Sequence, residues 1–417
     1  MARIVLATFG SLGDLHPVLG LALELHRRGH RTEIATTELY REKISALGLG
    51  FHALRPALAV VDAALVRRIM DGRRGSTYLL RNLMFPSVRD MHADLAPVVA
   101  GADCLVASEL VYAAPLIAAR TGLPWVSYSL APISVFSVFD PSLLPGPPGT
   151  GWIQSLGPAA NRLLRAAAKA TTHAWWKPVR SLRRELGLPP GRHPLFEGKY
   201  SPRLDLALFS SVLQAPQPDW PAQTVQCGFP FYDEAGPAAG LPPAVGEFLA
   251  AGVAPIVFTL GSSAVHIADD FYLRGAQAAR QLGRRALFLV GKNTPPPDLP
   301  ASMLAWDYLP YAQIFPHAAA IVHQGGVGTT AQALRAGKPM LVTPYAYDQP
   351  DNAARVTRLG VARTLARSRY TDRHVAGELA ALLDSPSYTR QAAAAGVRVQ
   401  GERGVAVACD EIERQLR

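Results

Sequence analysis

Short apolar runs alternate along the chain with segments whose apolar positions recur every three or four residues. Arg3–Phe9 reads as a strand, Leu15–Arg28 as a helix and Arg31–Thr36 as a second strand. Asp103–Ser108 and Trp125–Ser129 are further strands, with the helical pattern Ala113–Thr121 between them, and Ile153–Leu186 reads as mostly helical. A second series follows. Its strands are Pro255–Leu260, Ala286–Val290, Leu304–Tyr308, Ala319–His323 and Pro339–Val342, with helices at Asp269–Leu282 and Thr329–Ala336 and a closing helix within Glu402–Arg417. Strands alternating with helices specify an α/β chain with doubly wound parallel sheets. Two such series predict two similar Rossmann-like domains facing each other across a cleft, with ligands beyond the carboxyl ends of the strands.

Proline and glycine punctuate this pattern. They crowd at Pro141–Gly151, which reads as a loop, and from Gln214 to Pro243. The second stretch divides an N-terminal domain (1–213) from a C-terminal domain (244–400), with 214–243 as linker. Residues 401–417 are expected to form a helix that packs back on the first domain.

Composition excludes several classes. Hydrophobic residues make up 49% and charged residues 18% of the 417 residues, so a disordered or fibrous chain is ruled out. One uncharged, largely apolar stretch, Thr121–Phe139, approaches a bilayer span of roughly 20 residues, but two prolines and four serines break it. It reads instead as a buried strand followed by an apolar pocket wall, with Trp125, Phe136 and Phe139 as candidate ligand contacts. The start of the chain runs straight into a strand without a signal-peptide core. Cys104, Cys227 and Cys409 are far apart and make no disulfide framework or metal motif. A cytoplasmic location follows as the expectation. The net charge of +10 comes in short arginine groups without a nucleic-acid-binding signature. Such a charge suits a peripheral contact with the inner face of an anionic membrane, or phosphorylated substrates, better than nucleic acid.

Two segments carry candidate chemistry. Between the first strand and helix lies FGSLGDLHP, Phe9–Pro17, in which Gly10 and Gly13 allow a tight turn and Asp14 sits at the helix start. Taken alone, that aspartate reads as a helix cap. The glycine spacing does not match a dinucleotide fingerprint. The second segment, Ile321–Val356, is more specific. A strand ending at His323-Gln324 runs into Gly325, Gly326 and Gly328 and then Thr329-Thr330 at a helix start. Bare backbone, a positive helix end and two hydroxyls make an anion site that fits a diphosphate. Downstream, Asp348 and Gln349 come to the same rim, a carboxylate beside an amide suited to sugar hydroxyls.

With these motifs the chain resembles the family 1 nucleotide-sugar glycosyltransferases of the GT-B fold over nearly its whole length. SPRLDLALFSS (Ser201–Ser211) and GFPFYD (Gly228–Asp233) are similar to the sterol glucosyltransferase and rhamnolipid rhamnosyltransferase branches in particular. The resemblance implies that Asp14 is the catalytic base and that His323, Gly326, Gly328, Thr329 and Thr330 line the diphosphate pocket, helped by Ser262 and Ser263. It places Tyr308 near the base-stacking position, with Trp306 as rival, Gln332 at the ribose, and Asp348 and Gln349 on the donor sugar. Two positions depart from the family pattern. Gln324 stands where many relatives carry a second histidine, and Gln332 where many carry glutamate. Whether His16 or Glu109 assists Asp14 stays open at this point, as does the oligomeric state.

The implied activity is that of an inverting hexosyltransferase without cofactor or metal, since no Asp-x-Asp or His-Glu-x-x-His occurs. It would move a hexose from a UDP-sugar, UDP-glucose on family frequency, to a hydroxyl of a hydrophobic small molecule or lipid. A dTDP-rhamnose-dependent enzyme acting on a hydroxy fatty acid lipid is the alternative. An inactive GT-B nucleotide-binding protein is the alternative of another class. A Rossmann oxidoreductase lacks its fingerprint, and a nucleotide-sugar epimerase gives no reason for the apolar N-terminal wall.

Overall fold

The structure is a computed structural model that describes residues 1–57, 63–143, 152, 155–233 and 240–416. The chain divides into two compact units. The first comprises Met1–Asp62, Arg73–Tyr232 and Glu402–Arg417, and the second Ala63–Gly72 and Asp233–Gly401.

Among the described residues the first unit holds a seven-stranded sheet: β1 (Arg3–Ala7), β2 (Arg31–Thr36), β3 (Gly50–Ala53), β4 (Cys104–Ser108), β5 (Trp125–Ser129), β6 (Asp205–Ala207) and β7 (Thr224–Gln226). All neighbours are parallel, in the order β3-β2-β1-β4-β5-β6-β7. Ile4, Val5, Leu6 and Ala7 are fully buried, as a strand covered on both faces by helices requires. The second unit holds β8 (Ile256–Thr259), β9 (Ala286–Leu289), β10 (Met303–Trp306), β11 (Ala320–His323), β12 (Met340–Val342) and β13 (Ala362–Thr364), in the parallel order β10-β9-β8-β11-β12-β13. Strand order reverses between β1 and β4 in one sheet and between β8 and β11 in the other. At such switch points the loops leaving the carboxyl ends diverge and open a crevice. Asp14 follows β1, Glu109 follows β4, Ser262-Ser263 follow β8, and the glycine-rich loop follows β11.

Several elements differ from the sequence reading. The expected linker contains β7, a three-residue edge strand that proline-rich flanks disguise. It is held by Asp205, whose buried carboxylate accepts from Ser127 Oγ at 2.6 Å and Thr224 Oγ1 at 3.0 Å. The expected helical stretch is two helices, Gly157–Thr172 and Lys177–Glu185, broken around Trp175-Trp176. Ala63–Gly72 lies in the first half of the sequence yet belongs to the second unit. Val66 and Met70 are buried in that unit's core, and Tyr347 Oη donates to the Ile69 carbonyl at 2.6 Å. Residues 144–151, 153, 154, 234–239 and 417, on which parts of the expected loop, helix, linker and closing helix fall, lie outside the described residues. No helix among the described residues is long and apolar enough to cross a membrane.

The Gly404–Arg414 helix completes the first unit. Ala408, Cys409 and Ile412 are fully buried in one cluster with Val18, Leu21 and Leu25 of the Leu12–Arg27 helix. At its rim Arg28 reaches Asp410 at 2.6 Å, Glu413 at 2.7 Å and its own neighbour Glu24 at 2.8 Å. We expect Ile412→Ala to cost about 2–5 kcal/mol in urea-induced unfolding, the range for a truncated buried aliphatic side chain. A cost below about 1 kcal/mol would show that the closing helix is peripheral to this core.

Candidate active site

The turn after β1 is built around Asp14. Ser11 is the N-cap of the Leu12–Arg27 helix, its Oγ accepting from Gly13 N at 3.2 Å. The Asp14 carboxylate accepts the Ser11 backbone N–H at 2.7 Å and its Oγ–H at 3.3 Å. This reciprocal capping box explains Gly10, because a Cβ there would overlap the Asp14 carboxylate and the backbone sits at φ 143°. The cap predicted from the residue alone is therefore present, and it holds the carboxylate at the carboxyl edge of the sheet. Ala7 pairs with Ala107, so this turn and Ser108-Glu109 leave that edge side by side. His16 lies one turn along the helix. Burial and the nearby Lys43 charge push its imidazole down to about 4, its ring packs 5.2 Å from Tyr232, and its Nε2 is buried without a partner.

In the second unit the glycine-rich loop departs from the expected start. The helix runs Val327–Arg335, with Gly326 as N-cap, so it begins two residues before Thr329. Thr329 and Thr330 are buried in its first turn, while Gly328 is exposed. The N–H of Gly328 and Thr329 precede the first helical carbonyl acceptors and face outward from the helix end. The N–H of Val327 is taken, donating to Asp348 Oδ2 at 2.9 Å. Asn352 Nδ2 donates to the same oxygen at 2.7 Å and to the Gly325 carbonyl at 2.9 Å. Asp348 thus closes the anion loop as a cap, and burial pushes its carboxyl up to about 6. Gln349 Oε1 accepts from Tyr345 N at 2.8 Å and Ala346 N at 3.0 Å, shaping the turn before it.

His323 ends β11 and is fully buried. Gly325 N–H donates to its Nδ1 at 3.0 Å, so the neutral ring carries its proton on Nε2, which has no partner. Burial holds this imidazole down at about 3. Gln324 is buried as well. Its Nε2 donates to Thr329 Oγ1 at 3.3 Å and lies where a side chain at Gly261 would be, so Gly261 at φ 64° lets the amide bridge the β8 and β11 loops. Ser262 and Ser263 follow in a half-buried turn. Buried polar atoms without partners concentrate here: His323 Nε2, Gln324 Oε1, Thr330 Oγ1, Thr343 Oγ1 and Asn352 Oδ1. Buried polar atoms are ordinarily hydrogen-bonded, so this cluster stands out. Trp306 ends β10 half-buried, Tyr308 is 50% exposed on the loop after it, and Gln332 is half-buried in the Val327–Arg335 helix.

The expected acceptor wall is brought together in part. Trp125 and Phe136 line a cavity of about 540 Å³ inside the first unit, but Phe139 is 43% exposed and stands outside it. Phe139 belongs to a stretch pinned by Asp219, which accepts from Ser137 Oγ and Val138 N, and this turns the next side chain outward. Sequence reasoning missed Asn352, although its spacing of four from Asp348 on one helix signals a shared face. It also missed the pairing of Glu109 with Lys199, 90 residues apart, for which no local signal exists.

A histidine neutral in the fold but free to charge when unfolded makes stability fall as pH drops below about 6.5. The raised carboxyl of Asp348 works in the opposite direction between roughly 4 and 6. Replacing His323 with Gln removes only the first effect. The stability lost between pH 7 and pH 5 should therefore shrink by about 2 kcal/mol relative to the unmodified chain in denaturant titrations. An unchanged acid limb would mean that His323 gains its proton within the fold.

Comparison with known proteins places this geometry. Residues 4–121 match the glycosyltransferase family 28 N-terminal domain, and residues 292–406 match the erythromycin biosynthesis protein CIII-like C-terminal domain. The O-mycaminosyltylonolide 6-deoxyallosyltransferase of Streptomyces fradiae is 33% identical over 429 residues, covering 99% of this chain and 97% of that protein. Among solved structures, the glycotransferase of kitacinnamycin superposes with a TM-score of 0.75 at 20% identity, over 100% of this chain and 99% of that one. The spinosyn rhamnosyltransferase SpnG, complexed with thymidine diphosphate, gives 0.69 at 18% identity, over 99% and 100%. The fold is GT-B, and the neighbourhood is that of natural-product enzymes rather than specifically the sterol or rhamnolipid branches. The chain belongs to the EryCIII-like, family 28 natural-product glycosyltransferases and is a sugar-transferring enzyme.

Proposed function

We propose that the chain transfers a 6-deoxyhexose from a dTDP-sugar, with inversion and without a metal, to a hydroxyl of a hydrophobic natural product. The observation that carries this reading is the loop after β11. A helix start with outward N–H groups follows, within four residues of the strand end, a buried His323 whose Nε2–H has no partner. A buried donor left unmade costs about 1–3 kcal/mol, which a diphosphate oxygen would relieve as negative charge builds on the leaving group. Asp14 takes the acceptor proton as the hydroxyl attacks the anomeric carbon. Asp348 and Gln349, bound into the loop, act on the sugar mainly by shaping its pocket.

The choice of nucleotide follows the relatives more than the UDP-glucose expectation. The Streptomyces fradiae enzyme transfers a 6-deoxyallosyl group, and SpnG binds thymidine diphosphate. Gln332 supports the same choice, because an amide in place of a carboxylate grips vicinal ribose hydroxyls less strongly.

Asp14→Asn separates the base from the cap. The amide oxygen still accepts from Ser11, so the thermal midpoint should hold, while transfer falls by about 10² to 10⁴ in kcat. Retention of about half the rate would leave Asp14 as a cap alone. For the donor, dTDP- and UDP-linked forms of one sugar should differ by about tenfold at most in kcat/KM, since one neutral hydrogen bond contributes roughly 0.5–1.5 kcal/mol. A preference for UDP of about a thousandfold, or a rate lost in EDTA and restored by Mg²⁺, would overturn the reading.

A further inference from the structure

The cavity in the first unit has a charge pattern that its apolar wall does not explain. It lies along β4 and β5, with Tyr112, Trp125, Phe136, Trp176 and Phe196 among its lining side chains. Phe136 is fixed at φ 55°, a left-handed backbone that a bulky residue rarely adopts. The Lys199 ammonium stands 4.8 Å over its ring, and its carbonyl accepts from Arg165 at 3.4 Å. A strained aromatic held from two sides is a preformed wall.

The three acids lining the cavity are all matched. Glu109 accepts from Lys199 Nζ at 2.6 Å and also from Ser134 Oγ, and Glu197 pairs with Lys169 at 2.7 Å. Asp219 accepts from Ser137 Oγ at 2.7 Å and from Val138 N at 2.8 Å, with Arg165 at 3.8 Å. Two lining cations are not matched. Arg183 donates its Nε–H to the Pro189 carbonyl and meets no acid among the described residues, and neither does Arg192. The two are brought together by the intervening loop. A side chain at Gly191 would meet the Arg183 guanidinium at 2.9 Å, so that guanidinium packs on the residue preceding Arg192. Arg183 is half-buried, and burial alone lowers its proton affinity below the usual arginine value. A guanidinium partly out of water without a counter-charge is a standing cost that an anion removes. With Nε engaged, Arg183 still offers its terminal pair of N–H groups, a planar fork that matches a carboxylate.

Building on the transferase reading, we propose that this cavity binds an acceptor bearing a carboxylate, a hydroxylated apolar acid. Its carboxylate meets Arg183 and Arg192 and its body lies on Trp125, Phe136 and Phe196. The hydroxyl to be glycosylated points toward Ser108-Glu109, the part of the lining that shares the sheet edge with the Asp14 turn.

The test is binding without donor. 6-Hydroxy-2-naphthoate and its methyl ester are titrated into the full chain by calorimetry, with tryptophan fluorescence as a second readout because Trp125 and Trp176 line the cavity. The acid should bind about tenfold or more tightly than the ester, as charge-assisted hydrogen bonds of roughly 1.5–3 kcal/mol predict. Arg183→Gln should abolish that preference and leave ester affinity unchanged. Arg192→Gln, at an exposed position, should reduce the preference at least threefold on the same scale of about 1.4 kcal/mol per decade. Equal binding of acid and ester, or a preference that survives in both variants, overturns the proposal. So does a chain that binds neither probe while dTDP still raises its thermal midpoint. A chain that dTDP fails to stabilise would instead count against the transferase reading itself.

Discussion

The second unit depends on how the open end of the Val327–Arg335 helix is satisfied. A helix start leaves backbone N–H groups without acceptors, and here it follows a loop of bare backbone that must approach β8 and β12 closely. One carboxylate resolves part of the problem. Asp348 takes the Val327 N–H, and Asn352 ties the same oxygen to the Gly325 carbonyl. Other buried polar atoms of the loop take no hydrogen bond from the chain. That division explains why the loop is ordered by the protein yet still carries partnerless polar atoms, from His323 Nε2 to Thr330 Oγ1.

Burial at this loop also decides protonation. Burial keeps His323 neutral, with its tautomer fixed by Gly325 N–H so that the proton sits on Nε2. Asp348 is pulled toward its neutral form by the same burial and back toward the anion by the hydrogen bonds it accepts. A fully charged and exposed carboxylate at this helix start would repel any anion that the loop is proposed to bind. Covered by Val327 and Asn352, its charge is directed into the loop.

The first unit solves a different problem. Its sheet edge presents Asp14 within a capping box, and the lining beside it combines aromatic rings with acids that are all matched and two arginines that are not. Apolar area gives such a cavity affinity without choice, whereas an unpaired guanidinium rejects neutral analogues because its own desolvation goes uncompensated. The two units therefore differ along physical lines, with a glycine-rich helix start in one and side-chain charge with aromatic surface in the other.

The sequence alone determined the two parallel sheets, because four- to six-residue apolar runs and helical spacing are local signals that survive without tertiary information. It also determined the loop from His323 to Thr330, whose glycines and hydroxyls are contiguous, and the capping role of Asp14, read from its place at a helix start. Tertiary structure decided the rest. Strands β3, β6, β7 and β13 are three or four residues long with polar or glycine positions and are not legible in the sequence, whereas β12, equally short, shows because it is wholly apolar. Ala63–Gly72 joins the second unit through contacts such as Tyr347 to Ile69, 278 residues apart. Phe136 lines the cavity and Phe139 does not, with Asp219 fixing the turn between them from 81 and 82 residues away. Asp348 faces Val327 rather than open solvent for the same reason. Local spacing sets what an element is, whereas the direction a side chain faces depends on partners that only the folded chain brings within hydrogen-bond reach.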